Sequence, residues 1–161
     1  MTELQIEILL VEDNNEDLEL TLHALRKENL ANRIHVARDG EEALDFLFCN
    51  GTFVERASHP PLKLVLLDLK LPKVDGMEVL KKMKSDPRTR TIPVVILTSS
   101  KEERDLINGY HLGANSYIQK PVDFDQFRNT VKNAGLYWLL INQPPVPHVA
   151  ISGEAQAKQA R

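Results

Sequence analysis

Three short apolar runs, Ile6–Val11, Leu64–Leu67 and Ile92–Leu97, constrain this chain most. Each is dense in Ile, Val and Leu and bounded by polar residues. A run of that length without alternation suits a strand buried on both faces, as in a parallel sheet. Arg33–Ala37 and Ser116–Ile118 are weaker strand candidates. The stretches between them have helical spacing. Leu18, Leu22 and Leu25 follow a cap at Asn14 or Asn15, and Ala43, Leu44 and Leu47 follow one at Asp39. A third helix runs from about Gly76 through Met77, Leu80 and Met83 to Lys84, with Pro87 marking its end. A fourth lies around Glu102–Leu112 and stops at Gly113. The fifth starts near Asp123 and carries Phe124, Phe127, Val131, Ala134, Trp138 and Ile141. Strand then helix, five times over, predicts an α/β fold of the flavodoxin-like, doubly wound (βα)5 kind. Its five-stranded parallel sheet would have the order 2-1-3-4-5.

Composition narrows the function classes. The 161 residues fit one domain and contain no internal repeat. A net charge of −3 provides no global attraction to nucleic acid or to an anionic membrane. Cys49 is the one cysteine, which excludes an intramolecular disulfide and a zinc site built on several thiolates. No run is long enough to span a membrane, and the first residues lack the basic segment of a signal peptide, so a cytoplasmic protein is expected. From Pro144 the chain turns to Pro, Gly, Ala, Gln and Ser. Residues 1–143 are expected to form the domain and 144–161 a flexible tail, too short for a DNA-binding output domain.

In a doubly wound sheet, ligands sit at the carboxyl ends of the strands. Those ends carry Glu12-Asp13 after the first strand, Asp68 after the third, Thr98-Ser99 after the fourth and Lys120-Pro121 after the fifth. Taken singly, the acids could cap helices, Thr98 could end a strand, and Lys120 could be a solvated charge. Together they form a set. Three crowded carboxylates repel unless a cation lies among them, and hard oxygen ligands without His or Cys favour Mg2+. Lys120 and Thr98 suit phosphoryl oxygens. These are the parts for phosphoryl transfer to an aspartate. A nucleotide- or flavin-binding module would want a Gly-rich first turn, but this one reads Asp13-Asn14-Asn15-Glu16. An aspartyl-phosphate phosphatase or phosphotransferase would want a second acid two residues after the nucleophile, where Lys70 stands.

The motifs Ile-Leu-Leu-Val-Glu-Asp at 8–13, Leu-Leu-Asp-Leu-Lys-Leu-Pro at 66–72, Asp75-Gly76, Pro93–Ser99 and Lys120-Pro121 lie in register over about residues 5 to 142. With them, the chain resembles the receiver domain of two-component response regulators. The resemblance implies that Asp68 accepts a phosphoryl group from a sensor histidine kinase, and that the chain is not a turnover enzyme. It implies Mg2+ bound by Asp13 and Asp68, by Glu12 mostly through water, and by the backbone carbonyl of Lys70. Thr98 and Lys120 would hold phosphoryl oxygens, Ser99 would leave them space, and Tyr117 would be a switch aromatic that turns inward as Thr98 moves. Lys120-Pro121 would be a cis peptide. Gly76 would let the backbone turn into the third helix.

Two departures from the pattern stand out. The stretch 50–61 lengthens the connection after the second helix; it is expected to extend that helix or form a surface loop ended by Pro60-Pro61. With the Tyr137-Trp138-Leu139-Leu140 ending, this looks most like the phytochrome-associated single-domain regulators, which implies a phytochrome as the kinase. A histidine phosphotransfer protein is an equally compatible partner. At the tuning positions stand Lys70 and Ser100; Lys70 would screen the phosphoryl group from water and slow autodephosphorylation. Leu136, Tyr137, Leu139 and Leu140 add a second apolar surface, from which a homodimer through the last two helices and the last strand is expected.

Overall fold

The apolar runs fold as strands, every residue of the three central ones buried. The computed structural model describes residues 6–27, 33–58, 61–99 and 113–135. The strands are β1 (Ile8–Val11), β2 (Ile34–Ala37), β3 (Leu64–Asp68), β4 (Val94–Thr98) and β5 (Ser116–Gln119). They pair in parallel in the order β2-β1-β3-β4-β5, as the alternation of elements predicts. Two strands are shorter than the apolar runs that mark them. Pro93 has no N–H to give, although its carbonyl still accepts from Val65 N at 2.9 Å, and Ile92 N closes a turn onto Thr89 O at 3.0 Å. Ile6 and Glu7 lead into β1 through backbone bonds to Arg33 and Lys63.

Side chains alternate between two layers. Leu9, Val11, Val65, Leu67, Val94 and Ile96 face α2 (Gly40–Phe48) and α3 (Gly76–Lys84). Ile8, Leu10, Leu64, Leu66, Val95 and Leu97 face α1 (Asn15–Lys27) and α4 (Phe124–Asn133). Cores on both faces of a parallel sheet are what continuous apolar strands require. The predicted helix around Glu102–Leu112 lies outside the described residues.

Each described helix starts at a side-chain cap. Asn14, rather than Asn15, caps α1, with Oδ1 accepting from Asp17 N at 2.9 Å. Asp39, Asp75 and Asp123 accept from Glu42 N, Glu78 N and Gln126 N at 2.7, 3.0 and 2.7 Å. In α2, Ala43 and Leu47 are buried as expected, but Leu44 is only half-buried and Phe46 takes the deeper place. The last helix carries Phe127 and Val131 of the expected stripe into the core, with Phe124 packed beside them. It ends at Asn133, followed by Gly135 at φ 76, and the rest of the stripe lies beyond the described residues.

The long connection does not extend α2; it runs over the surface, with 3-10 structure and no buried residue among those described. Cys49, at φ 58, closes α2, and Gly51–Ser58 forms two 3-10 turns joined across a kink at Phe53, whose φ −102 and ψ 15 are not helical. Phe53 and Arg56 dock this segment onto the sheet. The Phe53 ring meets His35 and Phe46 edge-on, and the Arg56 guanidinium lies 3.8 Å from the Phe46 ring centroid while donating to the Phe46 carbonyl.

Candidate functional site

Because β1, β3, β4 and β5 are parallel, their carboxyl ends lie on one rim. Glu12 follows β1, Asp68 ends β3 and Thr98 ends β4; all three are buried. Asp68 pairs in register with Leu97, so Thr98 stands one residue further along the neighbouring strand. Asp13 is exposed, and one carboxylate oxygen from each of Glu12, Asp13 and Asp68 lies within 4.8 Å of the others.

Lys120, just after β5, supplies the opposing charge. Its Nζ lies 3.2 Å from Asp68 Oδ2, 3.3 Å from Glu12 Oε1 and 3.1 Å from Asp17 Oδ2. Its backbone N donates to Thr98 O at 2.7 Å, fixing the turn that brings the ammonium to the rim. The Lys120-Pro121 peptide is cis. The other Asp68 oxygen, Oδ1, accepts from Lys70 N at 3.3 Å. Lys70 thus meets the aspartate through its N–H, and its side chain is exposed. Ser99 is exposed at the rim, and Tyr117 is half-buried on the edge strand, packed against the α2 and α3 layer.

The electrostatics follow from crowding. Burial pushes the Glu12 carboxyl up from 4.5 to about 7, helped by the charge and hydrogen bond of Asp68 and opposed by Lys120. Burial alone would lower the Lys120 ammonium, but the charges of Asp68 and Glu12 outweigh it and hold the group above its ordinary range. One ammonium cannot neutralise this many acids. The donor set, all carboxylate oxygen and open on the Asp13 side, fits a hard divalent cation.

Two residues of the site were not singled out from the sequence. Asp17 reads as an ordinary first-turn acid of α1, and nothing local says that it reaches β5. Arg38 braces the Asp13 loop, its Nη2 donating to Asp13 O at 2.9 Å and to Asn15 Oδ1 at 2.5 Å. Gly76 does something other than turn the chain. A Cβ there would lie 2.3 Å from Asp68 O and 2.6 Å from Leu69 Cα, so glycine is needed for the close approach of α3 to the Asp68 backbone. Beside the rim, a cavity of about 430 Å3 opens between Asp13, Lys70 and the apolar Leu69, Leu71, Pro72 and Met77.

Residues 8–132 match the model of the response regulator receiver domain. FilR2 of Methanothrix harundinacea, described as a probable methanogenesis regulatory protein, is 44% identical over 140 residues, which span 87% of this chain and 88% of FilR2. The solved bacteriophytochrome response regulator AtBRR is 54% identical with a TM-score of 0.77, covering 88% of this chain and all of AtBRR. The phosphorylated cyanobacterial phytochrome response regulator RcpA is 40% identical with a TM-score of 0.67, over 84% of this chain and 94% of RcpA. A Mn(2+)-bound form of response regulator Rcp1 is 35% identical with a TM-score of 0.65, over 87% and 97% of the two chains.

Proposed function

This chain belongs to the response regulator receiver domain family, and we propose that it is a stand-alone phosphoacceptor whose Asp68 takes a phosphoryl group from a sensor histidine kinase. One observation carries the reading: a buried strand-end aspartate, 3.2 Å from a lysine ammonium, shares the rim with two further acids and a buried threonine.

An Asp68 carboxylate oxygen attacks phosphorus in line; the P–O bond forms as the P–N bond of the phosphohistidine breaks, and the bonding pair leaves on the imidazole. Lys120 meets the charge that arrives, and Thr98 and the Lys70 backbone N–H flank the acceptor. Glu12, Asp13 and Asp68 would hold Mg2+, directly or through water, and the Lys70 carbonyl would complete the set. The bound ion supplies charge neutralisation for the transferred group. The open cavity beside Asp13 and Lys70 gives a donor a path to the rim.

The new group carries a charge of about −1.5 to −2 and would draw Thr98 and Lys120 toward Asp68, shifting the chain between two conformers, with Tyr117 following. Output is by protein contacts, in the cytoplasm, with no turnover of an external substrate. The lengths of the relatives support a single-domain role, since this chain spans 88% of FilR2 and all of AtBRR. The names of AtBRR and RcpA favour a phytochrome as kinase. A homodimer through β5, α4 and the chain around them, much of it outside the described residues, would present the signal; a histidine phosphotransfer protein fits the same site.

The test is labelling by acetyl phosphate with Mg2+. Wild type should take up one phosphoryl group and Asp68→Asn none; labelling that survives in the variant would exclude Asp68. Size-exclusion chromatography with and without phosphorylation tests the dimer.

A further inference from the structure

The Lys120 ammonium is divided among three acids, and the nearest contact is to the residue outside the acidic cluster. Asp17 Oδ2 lies 3.1 Å from Nζ, against 3.2 Å for Asp68 Oδ2 and 3.3 Å for Glu12 Oε1. Asp17 stands in the first turn of α1, where its own N–H is tied to the Asn14 cap, so the backbone that carries its carboxylate is anchored beside the rim. Its side chain is 29% exposed and that of Lys120 13%, which makes this a partly desolvated pair rather than a surface one. The Glu12 contact is geometrically loose, at 3.3 and 3.5 Å to its two oxygens.

We propose that Asp17 is a positioning residue that restrains phosphoryl acceptance by holding part of the Lys120 ammonium away from Asp68. The inference rests on Asp68 being the phosphoacceptor. A phosphoryl group arriving there needs Lys120 for its oxygens, so Asp17 competes with it for the same donor. Asp17 also adds a negative charge near an incoming anion. Both effects have one sign: removing the carboxylate favours phosphorylation. The contact sets how readily the site loads and leaves the chemistry of transfer to Asp68.

The experiment measures labelling by acetyl phosphate at saturating Mg2+, without kinase, so that donor docking plays no part. In this reaction the Asp68 oxygen bonds to phosphorus and acetate leaves. Asp17→Asn and Asp17→Ala should each label about fivefold faster than wild type, the factor corresponding to about 1 kcal/mol for one partly buried ion pair. Asp17→Glu, which keeps the charge, should return most of the way to the wild-type rate. In a Lys120→Met background, Asp17→Asn should give a much smaller gain, because only the direct repulsion is left to relieve. Rates for Asp17→Asn and Asp17→Ala at or below wild type would overturn the proposal. So would an equal gain in the Lys120→Met background, because the charge would then act without the lysine. Labelling that persists in Asp68→Asn would instead defeat the underlying assignment of the acceptor.

Discussion

Replacing Gly76 by alanine tests whether α3 is what holds Asp68 in place. The added Cβ would lie 2.3 Å from Asp68 O, 2.6 Å from Leu69 Cα and 3.0 Å from Asp68 C, all backbone atoms at the end of a central strand. An ordinary contact to such atoms begins near 3.4 Å, so the two segments must part by about 1 Å. Gly76 N also donates to Leu69 O at 2.8 Å, and the same displacement would stretch that bond out of range. Overpacking of this kind costs about 1–3 kcal/mol, and the better helix propensity of alanine returns at most about 1 kcal/mol. A net loss of about 2 kcal/mol is expected, read as a lower urea midpoint at unchanged slope. The strain acts on the residue that carries Asp68, so the acetyl phosphate labelling rate should fall with it. Gly51→Ala is the control: at φ +58 with nothing within 4 Å of its Cβ, it should cost about 1 kcal/mol of backbone strain and leave labelling untouched. Gly76→Ala within about 0.5 kcal/mol of wild type, labelled at the wild-type rate, would refute the close-approach argument.

Other outcomes follow from the same rim and its supports. The folded-state value of Glu12, about 7, lies above its ordinary 4.5, so the folded chain holds that proton more tightly; this stabilisation is full below pH 4.5 and is lost as pH rises through 7. Added Mg2+ should therefore raise the melting temperature more at about pH 8 than at about pH 5.5, and calorimetry near pH 6 should detect proton release on binding; an Mg2+ shift independent of pH would contradict this. Thr21 Oγ1 is buried in α1 and has no hydrogen-bond partner among the described residues, so Thr21→Val should gain about 1 kcal/mol in urea melts, and a loss would mean that the hydroxyl is satisfied in solution. Lys70→Ala should shorten the half-life of the phosphorylated protein, since the exposed side chain beside Asp68 would no longer impede water; an unchanged half-life refutes that role.

Much of the fold was legible because its three central strands are buried on both faces, which leaves a hydrophobic signal that no described helix shares. Ile8–Val11, Leu64–Asp68 and Val94–Thr98 announce themselves in this way, and their order with the helices fixes the sheet. Boundaries were less legible where a single backbone group decides them. Pro93 trims the start of β4, and α4 ends at Asn133, just before Gly135 at φ 76. The 3-10 turns at Gly51–Ser58 were hidden for a different reason. Their form depends on Phe53 reaching His35 and Phe46, which lie on two other elements, and no local propensity encodes that contact.

The site divides along the same line. Glu12, Asp13, Asp68, Thr98 and Lys120 could be read because each ends or follows a strand, and a parallel sheet sends such ends to one rim. Asp17 and Arg38 act across elements. Asp17 sits in the first turn of α1 and meets Lys120, which follows the edge strand β5; Arg38 follows β2 and reaches back to the loop after β1. Topology places strand ends to within a few ångströms, but an ion pair near 3 Å depends on how a helix is rotated about its axis, and that rotation is set by packing. Here Thr21, Ala24 and Leu25 turn one face of α1 into the core, and Asp17, four residues before Thr21, is carried round to the rim. The residue that competes for the lysine is thus positioned by the burial of side chains a turn or more away, which is why the acidic motif before α1 did not reveal it.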